Sequence, residues 1–129
     1  MPFTRIMLRE GRTEAWLQRL STLLQQQLVE RFSVPPGDCF QMIECCPPGR
    51  LIADRDYLGG PRSEQFILFT ITAGRSRSRQ QKQAFYHHLA QALHRELGIT
   101  PQDVMVIITC NQAEEWSFSH GQMYNPEDV

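Results

Sequence analysis

Two rhythms of apolar and polar positions run along this chain: a strand-like run that occurs four times and a helical stripe that occurs twice. Phe3-Thr4-Arg5-Ile6-Met7-Leu8 and the stretches near 39–45, 66–72 and 104–109 are short runs rich in Ile, Val, Phe and Thr, the composition of strands. The last two are almost wholly apolar, as expected when both faces are covered. Between the first pair, Trp16, Leu17, Leu20, Leu23, Leu24, Leu28 and Phe32 fall on one stripe and Gln18, Gln25, Gln26 and Glu30 lie opposite, the period of an amphipathic helix. A second helix over about 78–97 offers Phe85, Leu89, Leu93 and Leu97 as its stripe. Thr13 and Ser78 can cap the two helices by accepting a first-turn amide, and Gly98 can end the second in the left-handed conformation. Pro35, Pro36 and Pro101 then stop helical continuation and turn the chain into the next strand.

The rhythms belong to an internal repeat. Ser33-Val34-Pro35-Pro36-Gly37-Asp38-Cys39-Phe40 resembles Gly98-Ile99-Thr100-Pro101-Gln102-Asp103-Val104-Met105, 65 positions later. Each half reads as strand, helix, Pro-containing turn and strand, a right-handed βαβ unit. The chain is expected to be a single α+β domain over 1–129, with pseudo-repeats at about 2–45 and 66–110, a connector at 46–65 and a tail at 111–129. Side by side, the two units form a four-stranded mixed sheet with both helices on one face. The other face is left apolar, which favours burial against further subunits. In the connector, Leu51-Ile52-Ala53-Asp54 reads as a short extra strand, and Trp116, Phe118, Met123 and Tyr124 in the tail call for packing.

A formal net charge of −1 gives no electrostatic reason to bind nucleic acid or an anionic membrane. No apolar run is long enough to span a bilayer, and a cytoplasmic location is expected. Cys39, Cys45, Cys46 and Cys110 contain no CxxC pair and read as buried free thiols.

The candidate chemistry begins at Met1-Pro2. If Met1 is removed, Pro2 starts the chain with a secondary amine, which can act as acid, base or nucleophile near neutral pH, whereas a proline nitrogen inside a chain is a tertiary amide with no proton. His87, His88 and His94 on the second helix form no metal-ligand pattern and read as solvated or packing residues, while His120 and the pair Glu114 and Glu115 flank the aromatic tail.

An N-terminal Pro2 on a strand, doubled βαβ halves and Gly74-Arg75-Ser76-Arg77-Ser78 before the second helix together resemble the tautomerase superfamily. Within it the chain is most similar to the malonate semialdehyde decarboxylase group. Glu10-Gly11-Arg12-Thr13, Val34-Pro35-Pro36-Gly37-Asp38, Gln81-Lys82 and Trp116-Ser117-Phe118 extend the likeness over nearly the whole length. The resemblance implies a catalytic proline at Pro2, an essential aspartate at Asp38, paired arginines at Arg75 and Arg77, and pocket aromatics at Trp116 and Phe118. It also implies a homotrimer, a small oxo-acid substrate and no metal or organic cofactor. Ser76 departs from the group, which favours proline there.

The residues suit decarboxylation of a 3-oxo acid such as malonate semialdehyde. A cationic Pro2 could stabilise the enolate, or a neutral Pro2 could form an iminium; Asp38 beside it would favour the cation. Arg75 and Arg77, expected at the N-terminal end of the second helix, would orient a carboxylate. Two other readings stay open: a tautomerase or hydratase with Pro2 as general base, and a non-catalytic binding module.

Overall fold

The computed structural model describes residues 1–128. Its main elements are β1 (Pro2–Arg9), α1 (Glu14–Phe32), β2 (Phe40–Cys46), β3 (Ile67–Ala73), α2 (Arg79–Leu97) and β4 (Val104–Cys110). Single 3-10 turns occupy Pro101–Asp103, Ala113–Glu115 and Pro126–Asp128. The expected α+β architecture is present: a mixed sheet in the order β2-β1-β3-β4, with β1 parallel to β2, antiparallel to β3, and β3 parallel to β4. No helix among the described residues is long and apolar enough to cross a membrane.

Strand alternation decides which side chains meet the helices. Ile6 and Leu8 of β1 and Ile67, Phe69 and Ile71 of β3 are buried, and pack with Leu20, Leu24 and Leu28 of α1 and Phe85, Leu89 and Leu93 of α2. Each such side chain contributes about 1.5–3 kcal/mol by leaving water, so the two helical stripes and the two central strands hold the fold together. The caps form as the sequence predicts. Thr13 Oγ1 accepts the Trp16 amide at 3.2 Å, and Ser78 exchanges bonds of 3.1 and 3.0 Å with Gln81 in a reciprocal capping box. Gly98 closes α2 with φ 69°, and Ser33 closes α1 with φ 54°.

Two expectations need correction, while the tail packs as expected. The segment 51–54 is not a strand: the Leu51 carbonyl accepts from Arg9 at 2.8 Å, and Asp54 Oδ1 accepts the amides of Asp56 and Tyr57, so an Asx turn bends the chain before any ladder can form. All four cysteines are free, but Cys39, Cys45 and Cys110 are exposed and Cys46 is half-buried. They lie on or beside β2 and β4, the edge strands, where one chain supplies less cover than the centre receives. The tail packs on its own chain, with the Trp116 and Phe118 rings stacked at 5.4 Å and Phe118 lying 5.7 Å from Phe40.

The sheet face turned from the helices stays open. Phe40 and Met42 at one edge and Met105 and Ile107 at the other are 41–48% exposed, and the Arg5–Glu44 ion pair crosses between β1 and β2.

Asp103 ends the 3-10 turn before β4 and is only 2% exposed. Its carboxylate accepts the amide and hydroxyl of Ser63, both at 2.6 Å, and the Thr100 hydroxyl at 3.1 Å. It therefore staples the end of the connector to the turn before β4. Replacing Asp103 by Ala is expected to lower unfolding free energy by about 3 kcal/mol, the order set by buried hydrogen bonds to a charged acceptor. Urea denaturation measures this, and a loss below about 1 kcal/mol would show that the connector holds its place without the carboxylate.

Candidate active site

The register of the central strand determines what meets at one end of the sheet. Pro2 pairs with Ala73, the last residue of β3, and Phe3 pairs with Phe40, the first residue of β2. The first residues of the chain, the turn before β2 and the segment after β3 therefore converge. A cavity of about 730 Å³ opens there, walled by Met1, Asp38, Gly74, Arg75, Arg77 and Phe118. Phe40 and Tyr124 add apolar surface, and Pro35 and Gly37 form part of the rim.

Met1 occupies the centre of this arrangement. Its terminal ammonium lies 2.6 Å from Asp38 Oδ2, both groups being largely withdrawn from water, and its carbonyl accepts the Gly74 amide at 2.9 Å. Pro2 is buried, its nitrogen sealed in the Met1-Pro2 peptide, so the amine facing Asp38 is that of Met1 and it is Met1 that lines the cavity. Gly74 is needed for closeness of approach: a Cβ there would strike the Met1 side chain and come within 2.9 Å of Trp116 Nε1.

The two arginines are brought together but do different things. Arg77 is 92% withdrawn from solvent, with 8% exposed, and donates to the Phe32 carbonyl and the Arg75 carbonyl, each at 2.9 Å. Its guanidinium lies 5.2 Å over the Phe32 ring, and its buried Nε has no hydrogen-bond partner among the described residues. Burial first, and then the charge on Arg75, hold this guanidinium below its ordinary range. Arg75 is exposed and makes one long contact of 3.5 Å to the same Phe32 carbonyl. Both precede the α2 cap, as expected, yet their charge addresses the C-terminal end of α1, where orphan carbonyls favour cations. Arg75 is the guanidinium available to an entering anion.

The two aromatic candidates also separate. Phe118 lines the cavity; Trp116 stands behind it, half-buried, with Nε1 donating to Asn111 Oδ1 at 2.6 Å. His120 is exposed in a turn with φ 60° and does not line the cavity, and Glu114 and Glu115 are exposed on their 3-10 turn. Sequence reasoning missed Phe40, Tyr124, the Asn111 anchor and the Phe32 carbonyl. Tyr124 was legible only as one ring of the tail, and a backbone carbonyl leaves no mark in side-chain identity. Among the described residues, no group of three His, Cys, Asp or Glu side chains is placed to hold a metal ion.

Residues 38–119 match the family described as tautomerase enzyme. The probable tautomerase YusQ of Bacillus subtilis (strain 168) is 39% identical over 122 residues, covering 95% of this chain and 96% of its own. A malonate semialdehyde decarboxylase, whose structure accounts for decarboxylase and hydratase activities, superimposes with a TM-score of 0.87 at 35% identity, covering 93% and 92% of the two chains. A fused 4-OT symmetric trimer shares the fold, with a TM-score of 0.77 at 17% identity over 94% of each chain.

The arginine geometry predicts unequal effects on stability. Arg77→Ala is expected to cost about 2–3 kcal/mol, since it strips the buried Phe32 carbonyl and the part-buried Arg75 carbonyl of a charged donor. Arg75→Ala should stay within about 0.5 kcal/mol, as for an exposed side chain. Thermal and urea unfolding of the two variants checks the contrast, and equal losses would contradict it.

Proposed function

The chain belongs to the tautomerase family, and from that membership we propose an enzyme that works on small oxo acids through Pro2 once Met1 is removed, decarboxylating malonate semialdehyde or a close analogue without a cofactor. The observation that carries this reading is the ion pair between the chain's terminal amine and Asp38 inside a cavity that also holds Arg75 and Arg77. Removal of Met1 turns the Pro2 nitrogen from an amide into an amine one residue along the same strand, next to the same carboxylate. The Asp38 charge favours its cationic form.

Loss of CO2 breaks the bond between the carboxyl carbon and its neighbour, and the electron pair moves toward the adjacent carbonyl oxygen. A cationic Pro2 stabilises that oxygen as it becomes an enolate, and a proton from the amine, replaced from water, then reaches carbon. Arg75 holds the departing carboxylate. Tight binding of that group alone would stabilise the ground state, so its contribution is orientation of the breaking bond perpendicular to the carbonyl plane. Phe40, Phe118 and Tyr124 line the apolar side, where release of uncharged CO2 is favoured over retention of a carboxylate.

A second reading, in which neutral Pro2 is the general base of a tautomerase, is favoured by the name of the Bacillus relative. The pH profile separates the two. As an acid, Pro2 gives turnover that is held at low pH and lost as pH rises through its titration; as a base, it gives the opposite slope.

In the Met1-free chain, Pro2→Ala is expected to reduce turnover of malonate semialdehyde at least 100-fold, and Arg75→Ala to do the same with an unchanged unfolding midpoint. Intact mass establishes the terminus, and parallel assays with phenylpyruvate test the tautomerase reading. Full turnover by Pro2→Ala would remove the proposal.

We also propose that three copies assemble through their open sheet faces, a reading supported by the exposed Phe40, Met42, Met105 and Ile107 and by the trimeric relative of the same fold. Ile107→Glu is expected to reduce the sedimenting mass from that of three chains to that of one. An unshifted mass would place the interface elsewhere.

A further inference from the structure

We propose that the Gly74 backbone amide is a second donor to the substrate's carbonyl oxygen, acting together with Pro2; the inference rests on the role of Pro2 given above. In the chain with Met1 in place, this amide is buried and donates to the Met1 carbonyl at 2.9 Å. Hydrolysis of the Met1-Pro2 bond takes that oxygen away with the methionine. A buried amide left without an acceptor is costly, so an oxygen from ligand or water must take the position.

The position is informative because of what it adjoins. The Met1 carbonyl carbon is bonded to the Pro2 nitrogen, so its oxygen lies about 2.3 Å from that nitrogen by ordinary peptide geometry. A ligand oxygen bonded to the Gly74 amide needs to back away from Pro2 by only about half an ångström to accept from its ammonium too. Both donors then converge on one oxygen, the requirement for stabilising an enolate as charge develops. The residue type agrees with this use. Gly74 does not have a positive φ; its Cβ position is crowded by the Met1 side chain while Met1 is present, and by Trp116 Nε1 at 2.9 Å, which stays when Met1 is gone. The volume filled by Met1 above Gly74, between Asp38 and the Phe118 wall, is the volume a ligand would inherit.

During decarboxylation, the electron pair of the broken carbon–carbon bond comes to rest on the oxygen held by Gly74 N–H and the Pro2 ammonium. No proton leaves Gly74, which only donates a hydrogen bond.

The test replaces the Ala73-Gly74 amide by an ester, through incorporation of glycolic acid at position 74 in the Met1-free chain, which deletes the N–H and little else. Turnover of malonate semialdehyde is expected to fall about 100-fold with KM changed less than threefold, the loss that follows removal of one donor to a developing oxyanion. In a chain labelled with 15N-glycine, which contains eight glycines, the Gly74 amide proton is expected to move downfield as pyruvate is added. Gly37, on the rim of the same cavity, reports occupancy. Full turnover by the ester overturns the proposal, as does a Gly74 signal that stays put, whether or not Gly37 moves. Pro2→Ala assayed in the same series separates the two ideas: lost turnover there with an unimpaired ester removes Gly74 alone, while retained turnover removes the role of Pro2.

Discussion

The constraint on which the site depends is the hydrogen bonding of β1 as a central strand from its first residue. A strand start at a sheet edge, or one frayed by two or three residues, would leave the chain's amine in solvent. Here Pro2 is already in register with Ala73, and Phe3 with Phe40. Pro2 can occupy this place because the residue lies at the very beginning of the strand, where a missing N–H removes little from the ladder. The sheet thereby turns a chain terminus, ordinarily its least ordered part, into a fixed group beside Asp38. Every other group in the cavity is positioned relative to that strand end.

The internal repeat shows how one of two related ends becomes a site. The 65-residue offset pairs Asp38 with Asp103 and Met1 with Phe66. Asp103 is engaged by the connector that runs into β3, with Ser63 donating an amide and a hydroxyl to the carboxylate. Asp38 instead pairs with the Met1 ammonium at the start of β1. The same residue type at corresponding positions thus holds the connector in one half and lines the cavity in the other.

Most of the fold was legible from local signals. The two apolar stripes, the caps at Thr13 and Ser78, the terminator Gly98 and the four strands all depend on neighbours within a few residues, and each appears within about two positions of its expected bounds. The place of Asp38 beside the start of β1 was legible from the repeat geometry, whereas Arg75, Arg77 and Phe118 were assigned to the same site by the family resemblance alone. What the sequence hid were consequences of long-range packing. Arg77 is buried because the Phe32 ring and carbonyl lie behind it, 45 residues away in the chain. Trp116 turns aside to Asn111, and Tyr124 returns to the wall, through tail contacts that no periodicity encodes. The cysteines were misjudged because strand character was equated with burial on edge strands, and the 51–54 segment because Asp54 bends what its apolar neighbours would extend.

The electrostatics of the cavity follow from this arrangement and bear on which reaction it can support. Two guanidiniums and one ammonium face a single carboxylate, an excess of positive charge that draws in an anion although the whole chain is close to neutral. An unmodified excess would hold a carboxylate too firmly to let it leave as CO2. The C-terminal carbonyl of α1 reduces the excess: Arg77 spends two of its donors on Phe32 and Arg75 and lies against a ring, so its charge is partly answered by the helix end. Arg75 is left exposed, with one long contact to the Phe32 carbonyl. In the proposed reaction, a single exposed guanidinium would fix the direction of a carboxylate without deepening the well it must escape, whereas two fully engaged forks would do both.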